Sequence, residues 1–132
     1  MLIYVDGSSS SMGNQIAVAD SDENLLINKK FKKKLTNNEL EYEAILAGLN
    51  IATEKDTICS DSKLCVEQIN GNFKIKQEHL KPYAEKSKEL LKEKKCLIIW
   101  VPRDKNPAGR ILEREVKQGV KRAKKNKLRE AQ

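Results

Sequence analysis

Three acidic residues of this 132-residue chain stand in settings that could support metal-assisted chemistry. Asp6 follows the apolar run Met1-Leu2-Ile3-Tyr4-Val5 and precedes Gly7 and Ser8. Glu41 lies in the first turns of a segment opening Thr36-Asn37-Asn38-Glu39-Leu40, and Asp61 sits between Ser60 and Ser62 after a short apolar stretch. A fourth acid, Glu113, belongs to the start of the last helical segment. Carboxylates on separate elements that converge in space are what a Mg²⁺ site for phosphodiester chemistry requires. Each also has a structural reading: Asp6 as a turn former before Gly7, Glu41 as a favourable acid near a helix N-terminus, Asp61 as a helix cap. Singly those readings win; it is the joint arrangement that favours chemistry.

Charge points the same way. The net charge is +7, and it is unevenly placed. Residues 114–132 hold Arg114, Lys117, Lys121, Arg122, Lys124, Lys125, Lys127 and Arg129 against only Glu115 and Glu130. Lys29, Lys30, Lys32, Lys33 and Lys34 form a second cluster with no acid inside it. Such patches hold a polyanion by counterion release; alone, either could be a solvated face or a solubilising tail. Beside an acidic metal cluster, nucleic acid is the better partner. No apolar run approaches the ~20 residues of a membrane span, and nothing resembles a signal peptide, so no membrane partner and a cytoplasmic location are expected. Cys59, Cys65 and Cys96 are odd in number, have apolar neighbours and lack metal-ligand spacing, which predicts buried, reduced thiols.

Positioning these groups falls to a βββαβα(α)βα order. Leu2 to Ser8, about Asn14 to Ala19, and Asn24 to Lys34 read as three strands with short polar loops, Ser8 to Gly13 and Asp20 to Asn24, hence as an antiparallel meander. Thr36 and Glu39 form a capping box, and Leu40, Ala44, Ala47 and Ile51 recur at helical spacing. Thr57 to Ser60 is a short strand, and Ser62 to Asn70 a helix that Gly71 can end. An amphipathic helix spans about Glu78 to Lys94, with Leu80, Tyr83, Ser87 and Leu91 on one face. Cys96 to Val101 is almost continuously apolar, as for a strand covered on both faces. Asn106 as N-cap and Pro107 at the first position launch a last helix, its inner stripe Leu112, Val116, Val120 and Ala123. The length suits one domain: residues 1–115, which include the start of the last helix, form its body, and 116–132 are a basic helical extension of it; a monomer is expected.

Asp6-Gly7-Ser8, Thr36-Asn37-Asn38-Glu39-Leu40-Glu41-Tyr42, Ser60-Asp61-Ser62-Lys63-Leu64 and Trp100-Val101-Pro102-Arg103-Asp104-Lys105-Asn106, in this order, resemble type 1 ribonuclease H over residues 1 to about 115. Any one motif is weak; the ordered set within the matching element order is strong. The resemblance implies an α/β, RNase H-like fold: a five-stranded mixed sheet of order 3-2-1-4-5, strands 1–3 antiparallel, with helices on both faces. It also implies endonucleolytic cleavage of the RNA strand of RNA–DNA hybrids, giving 5′-phosphate and 3′-hydroxyl ends. Two Mg²⁺ ions per site, with Mn²⁺ as the alternative, would serve that hydrolysis. Asp6 would bridge the ions, and Glu41 and Asp61 would hold the second. Among substrate contacts, Asn37 and Asn38 match an amide pair near the minor groove, where 2′-hydroxyls are displayed. Asn14, Thr36 and Lys34, the last two at a DNA phosphate, and Gln77 match further positions; Gly7 and Ser8 complete the expected set.

The chain departs from the family in its last helix. The usual Asn-x-x-Ala-Asp-x-Leu-Ala becomes Asn106-Pro107-Ala108-Gly109-Arg110-Ile111-Leu112-Glu113, so that counting from Asn106 puts Arg110 at the position of the fourth carboxylate. A cation there cannot ligate Mg²⁺. Glu113, three residues on, is the expected replacement, with Asp104 as runner-up. The only histidine, His79, starts another helix and is read as a surface or capping residue. The region Asn70 to Glu78 is too short for a basic, Trp-bearing protrusion; the basic C-terminal helix is its candidate substitute, and Trp100 is read as packing. Two other functions stay open: a catalytically impaired nucleic-acid-binding module, because of Arg110, and a related nuclease with another nucleic-acid substrate.

Overall fold

The structure, a computed structural model, describes residues 1–11 and 13–130. Met12 of the first expected loop, and positions 131 and 132 of the expected basic extension, lie outside the described residues. Strands β1 (Leu2–Ser10), β2 (Gly13–Ala19) and β3 (Leu25–Phe31) form the antiparallel meander. Strands β4 (Thr57–Ser60) and β5 (Leu97–Trp100) add in parallel, each delivered by a helical crossover. The sheet order is β3-β2-β1-β4-β5, as expected. Helix α1 (Asn37–Ile51) starts at the expected capping box: Glu39 N–H donates to Thr36 Oγ1 at 3.2 Å, and Thr36 N–H donates to Glu39 Oε1 at 3.0 Å. Helix α2 (Lys63–Ile69) is capped by Ser62, and a 3₁₀ turn (Glu78–Leu80) leads into α3 (Lys81–Lys94). Helix α4 (Pro107–Glu130) follows a second 3₁₀ turn, Arg103–Lys105.

Alternation along β2 divides two cores. Ile16 and Val18 join Ile3, Val5, Leu40, Ile45 and Leu49 under α1, α2 and α3. On the opposite face Ala17 and Ala19 meet Ala108, Ile111 and Leu112 of α4. The first core buries the larger side chains and therefore supplies most of the burial energy. The second is built of small residues on the sheet side, which lets α4 sit close over β1 and β2.

Four local expectations change. β1 runs on to Ser10, two residues beyond the expected Ser8, which places Asp6 in mid-strand. The reason is one-sided pairing: β1 and β4 last pair at Val5 and Ser60, while β1 and β2 remain paired to Ser10 and Gly13. β5 is not covered on both faces, because it is the sheet's edge and α4 lies over β1 and β2; Leu97 is 68% exposed. β3 stops at Phe31, short of Lys34. Finally, Ile51 and Ala123 are exposed, so the inner stripes of α1 and α4 end before them. Cys59, Cys65 and Cys96 are buried free thiols, as expected, and His79 is exposed.

Candidate metal centre

The sheet brings Asp6 and Asp61 together through its register. Val5 pairs with Ser60 in the parallel β1–β4 ladder, and each carboxylate is carried by the next residue along its chain. Where β4 ends, the two strands part and leave room between them. Glu41 arrives from α1, and Gly7 makes this possible. A Cβ at Gly7 would lie 2.7 Å from the Leu40 carbonyl carbon, so only glycine lets α1 approach β1 this closely. Gly7 N–H then donates to Glu41 Oε1 at 2.8 Å. Ligand oxygens of Asp6, Glu41 and Asp61 all lie within 4.8 Å of one another.

Burial and mutual repulsion mark these acids electrostatically. Asp6 is only 7% exposed, and desolvation, reinforced by the charge of Asp61, raises its pKa to about 6 against the bond to Glu41 and the nearby Arg103. Glu41 is raised further, first by burial and then by the charge of Asp6. Asp61 is raised by burial, with Asn106 and Arg103 opposing. Three clustered and largely desolvated carboxylates favour either protons or a cation of high charge. The donor set is all hard oxygen, which fits Mg²⁺ or Mn²⁺ and not a soft metal.

Asn106 has two functions. As the expected N-cap it accepts from Ala108 N–H at 3.1 Å, and its amide donates to Asp61 Oδ2 and to the Val5 carbonyl, both at 3.0 Å. The cap of α4 therefore also orients a carboxylate of the site. The sequence reveals only the cap, because the bond to Asp61 joins residues far apart in the chain. Arg103, which lines the same cleft, is legible in the sequence only as part of a motif.

The start of α4 corrects the expected register of the fourth acid. Arg110 does not face the carboxylates: its Nε donates to Glu23 Oε1 at 2.7 Å and its Nη1 to the Asp104 carbonyl at 2.8 Å. Gly109 faces them instead. A Cβ placed there would lie 3.1 Å from Asp6 Oδ2 and 3.8 Å from Asp61 Oδ2. One residue of displacement on a helix is about 100° of rotation, and it separates a residue in the site from one on the surface. Glu113, one turn beyond Gly109, lines the cleft but stands outside the three-carboxylate cluster; its Oε1 is 3.9 Å from Arg103 Nη2. Asp104 is exposed, and its carbonyl serves Arg110.

The cleft has a volume of about 500 Å³ and includes Gly7, Ser8, Asn37 and Asn38 among its lining residues. Four expected substrate contacts thus share the space of the carboxylates. The others lie elsewhere. Asn14 donates to the Lys33 carbonyl at 3.2 Å and lines a smaller cavity with Lys30 and Arg122. Thr36 is engaged as the cap of α1, and Lys34 is exposed beside it. Gln77 belongs to a neighbouring cavity of about 520 Å³, which shares Asn38 with the cleft and adds Lys74 and Lys76. Trp100 is 45% exposed, and its Nε1–H donates to the Asp61 carbonyl at 3.1 Å.

Comparison with known proteins points to the same fold. The sequence profile of the family described as reverse transcriptase-like matches residues 5–113. The bifunctional protein Rv2228c of Mycobacterium tuberculosis is 29% identical over 119 residues; the match takes in 80% of this chain, which spans about a third (33%) of that relative. The solved structure of the N-terminal RNase H domain of Rv2228c superposes with a TM-score of 0.70 at 28% identity, covering 92% of this chain and 96% of that one. LC11-RNase H1, solved in complex with an RNA/DNA hybrid, superposes with a TM-score of 0.62 at 25% identity over 80% of this chain and 87% of its own. With its profile match, sheet order and converging acids taken together, the chain belongs to the reverse transcriptase-like family and, within it, to the ribonuclease H type 1 domains.

Proposed function

We propose that this protein is a metal-dependent endoribonuclease that cleaves the RNA strand of RNA–DNA hybrids and leaves 5′-phosphate and 3′-hydroxyl ends. The observation that carries this reading is the convergence of Asp6, Glu41 and Asp61 within 4.8 Å on this fold. Asp6, Glu41 and Asp61 would hold two Mg²⁺ or Mn²⁺ ions, with Glu113 completing the set from α4. Bound there, the ions supply Lewis-acid activation of water and charge stabilisation at the leaving 3′ oxygen. The chain's own part is positioning. Asn106 fixes the direction of Asp61, and the Gly7 amide fixes Glu41. Ser8, Asn37 and Asn38 offer donors and acceptors at the cleft wall for the sugar-phosphate backbone. The three free cysteines suit a reducing compartment, in keeping with a cytoplasmic setting.

A specific observation favours a second reading, an impaired hybrid-binding module. Gly109 offers no side chain at the point of α4 nearest Asp6. One assay separates the two: labelled RNA–DNA hybrid, duplex DNA and duplex RNA, each with and without Mg²⁺ or Mn²⁺. Cleavage of RNA in the hybrid alone, abolished in Asp6→Asn, is the expected result. Hybrid binding without cleavage in either metal selects the module, and cleavage of another duplex selects a different nuclease.

A further inference from the structure

Helix α4 changes character along its 24 residues. Ile111 and Leu112 are buried and Val116 and Val120 half-buried, whereas residues 121–130 are all exposed. Ten residues at 1.5 Å each make an exposed arm of about 15 Å. This arm carries Lys121, Arg122, Lys124, Lys125, Lys127 and Arg129 against the single acid Glu130. Like charges three and four residues apart repel on a helix, and no packing here offsets that repulsion. Favourable interaction with the helix dipole accounts only for cations in the last turn, and Lys121 and Lys124 lie before it.

The basic residues are also ordered relative to the carboxylates. Glu113 and Lys117 both line the cleft. At about 100° per residue, Lys121 and Lys124 continue the side of the helix on which Glu113 and Lys117 stand. Arg122 and Arg129 point well round from that side, and Arg122 lines the separate cavity with Asn14 and Lys30. Among the described residues, no carboxylate is in ion-pair contact with Lys117, Lys121 or Lys124. Their charges are available to a partner.

We propose that Lys117, Lys121 and Lys124 form a phosphate track, a second nucleic-acid contact that holds the duplex backbone as it leaves the carboxylate cleft. The inference rests on the nucleic-acid reading of that cleft, and charge complementarity selects the occupant. A row of single positive charges along a straight helix suits a linear polyanion. At one charge per ~1.7 Å of duplex axis, the arm could accompany about four or five base pairs.

The test uses the full chain carrying Asp6→Asn, so that hybrid is bound and not cut. Two RNA–DNA hybrids serve as probes, one confined to the cleft at about 8 base pairs and one of about 20 that also reaches the arm. Lys121→Ala/Lys124→Ala should weaken the long hybrid roughly tenfold or more near 0.1 M salt, and reduce the slope of log K against log salt by nearly 2. Binding of the short hybrid should not change. Arg122→Ala/Arg129→Ala removes equal charge from another side and should have a much smaller effect. An unchanged slope, or equal losses from both pairs, overturns the track. So does loss of binding to phosphatidylserine vesicles with hybrid binding intact, which would make the arm a membrane contact. Cleavage of the short hybrid by the unsubstituted chain is read separately. Its absence would overturn the nuclease reading, while the long-against-short comparison would still decide the track.

Discussion

The two walls of the carboxylate cleft are built differently. On the α1 side, the Thr36–Glu39 capping box fixes where the helix begins, and Gly7 brings it against β1 so closely that a methyl group would strike the Leu40 backbone. Glu41 is then held by a backbone N–H. On the α4 side, the residue facing Asp6 has no side chain, and the nearest acid stands one turn away beside Arg103. One wall is sterically locked around its ligand. The other leaves space that a longer side chain, a substrate atom or water can use. A carboxylate cleft can thus pair a rigid half with an open one when the two halves sit on separate elements.

Breaking the rigid wall should have the largest effect. Gly7→Ala forces α1 and β1 apart and moves Glu41, so we expect about 3 kcal/mol of lost stability from overpacking together with near-complete loss of hybrid cleavage. Denaturant midpoints and a cleavage assay measure both. Near-normal stability with normal cleavage would mean that the close approach is unimportant.

The open wall should respond more gently and in both directions. Glu113→Gln should weaken Mn²⁺ binding, read calorimetrically, by about 10–100-fold if Glu113 reaches the ions, the range seen when a supporting group of a metal site is removed. Gly109→Asp should act oppositely and tighten Mn²⁺ binding, provided the carboxylate finds room beside Asp6 and Asp61. If Glu113→Gln leaves affinity unchanged and Gly109→Asp raises it, the fourth position is vacant in this chain and Glu113 is a wall residue only.

The smallest effect sharpens the electrostatic side of the comparison. Asp6 titrates at about 6 in the fold because it is buried, against an ordinary aspartate value of 3.8. The folded state therefore holds a proton that the unfolded chain releases. Stability from this group is full below about pH 4 and is lost as pH rises through about 6. The metal-free protein should lose on the order of 1–2 kcal/mol across that window. Asp6→Asn should flatten the loss, and saturating Mg²⁺ should oppose it at neutral pH. Thermal melts from pH 4 to about 8 provide the check, and a metal-free stability that rises through this window would contradict the burial argument.

Much of this site could be read before folding was considered. Asp6, Glu41 and Asp61 sit in local patterns that also define their elements: a strand, a capped helix and a strand-to-helix turn. The antiparallel meander and the mixed sheet follow from short links between the first strands and helical crossovers before the last two, while the order 3-2-1-4-5 comes with the family resemblance. What failed depended on distances along or across elements. Counting from Asn106 selected Arg110, but a single position rotates a helical side chain by about 100°, and Gly109 is the residue that faces the acids. The apolar run of β5 suggested cover on both sides, yet cover depends on where α4 lies, and α4 lies over β1 and β2. Asn106 was legible as a cap, while its bond to Asp61 spans 45 positions and leaves no local trace.

Trp100 is the only tryptophan of the chain, and its indole N–H donates to the carbonyl of Asp61. The residue that supplies one wall of the cluster is thus wired, through its own backbone, to the molecule's brightest intrinsic fluorophore. Half-exposed at the sheet edge, that ring senses both solvent and the position of the Asp61 turn. The protein therefore carries an optical reporter of its own carboxylate cluster, with no label to be added and no residue to be exchanged.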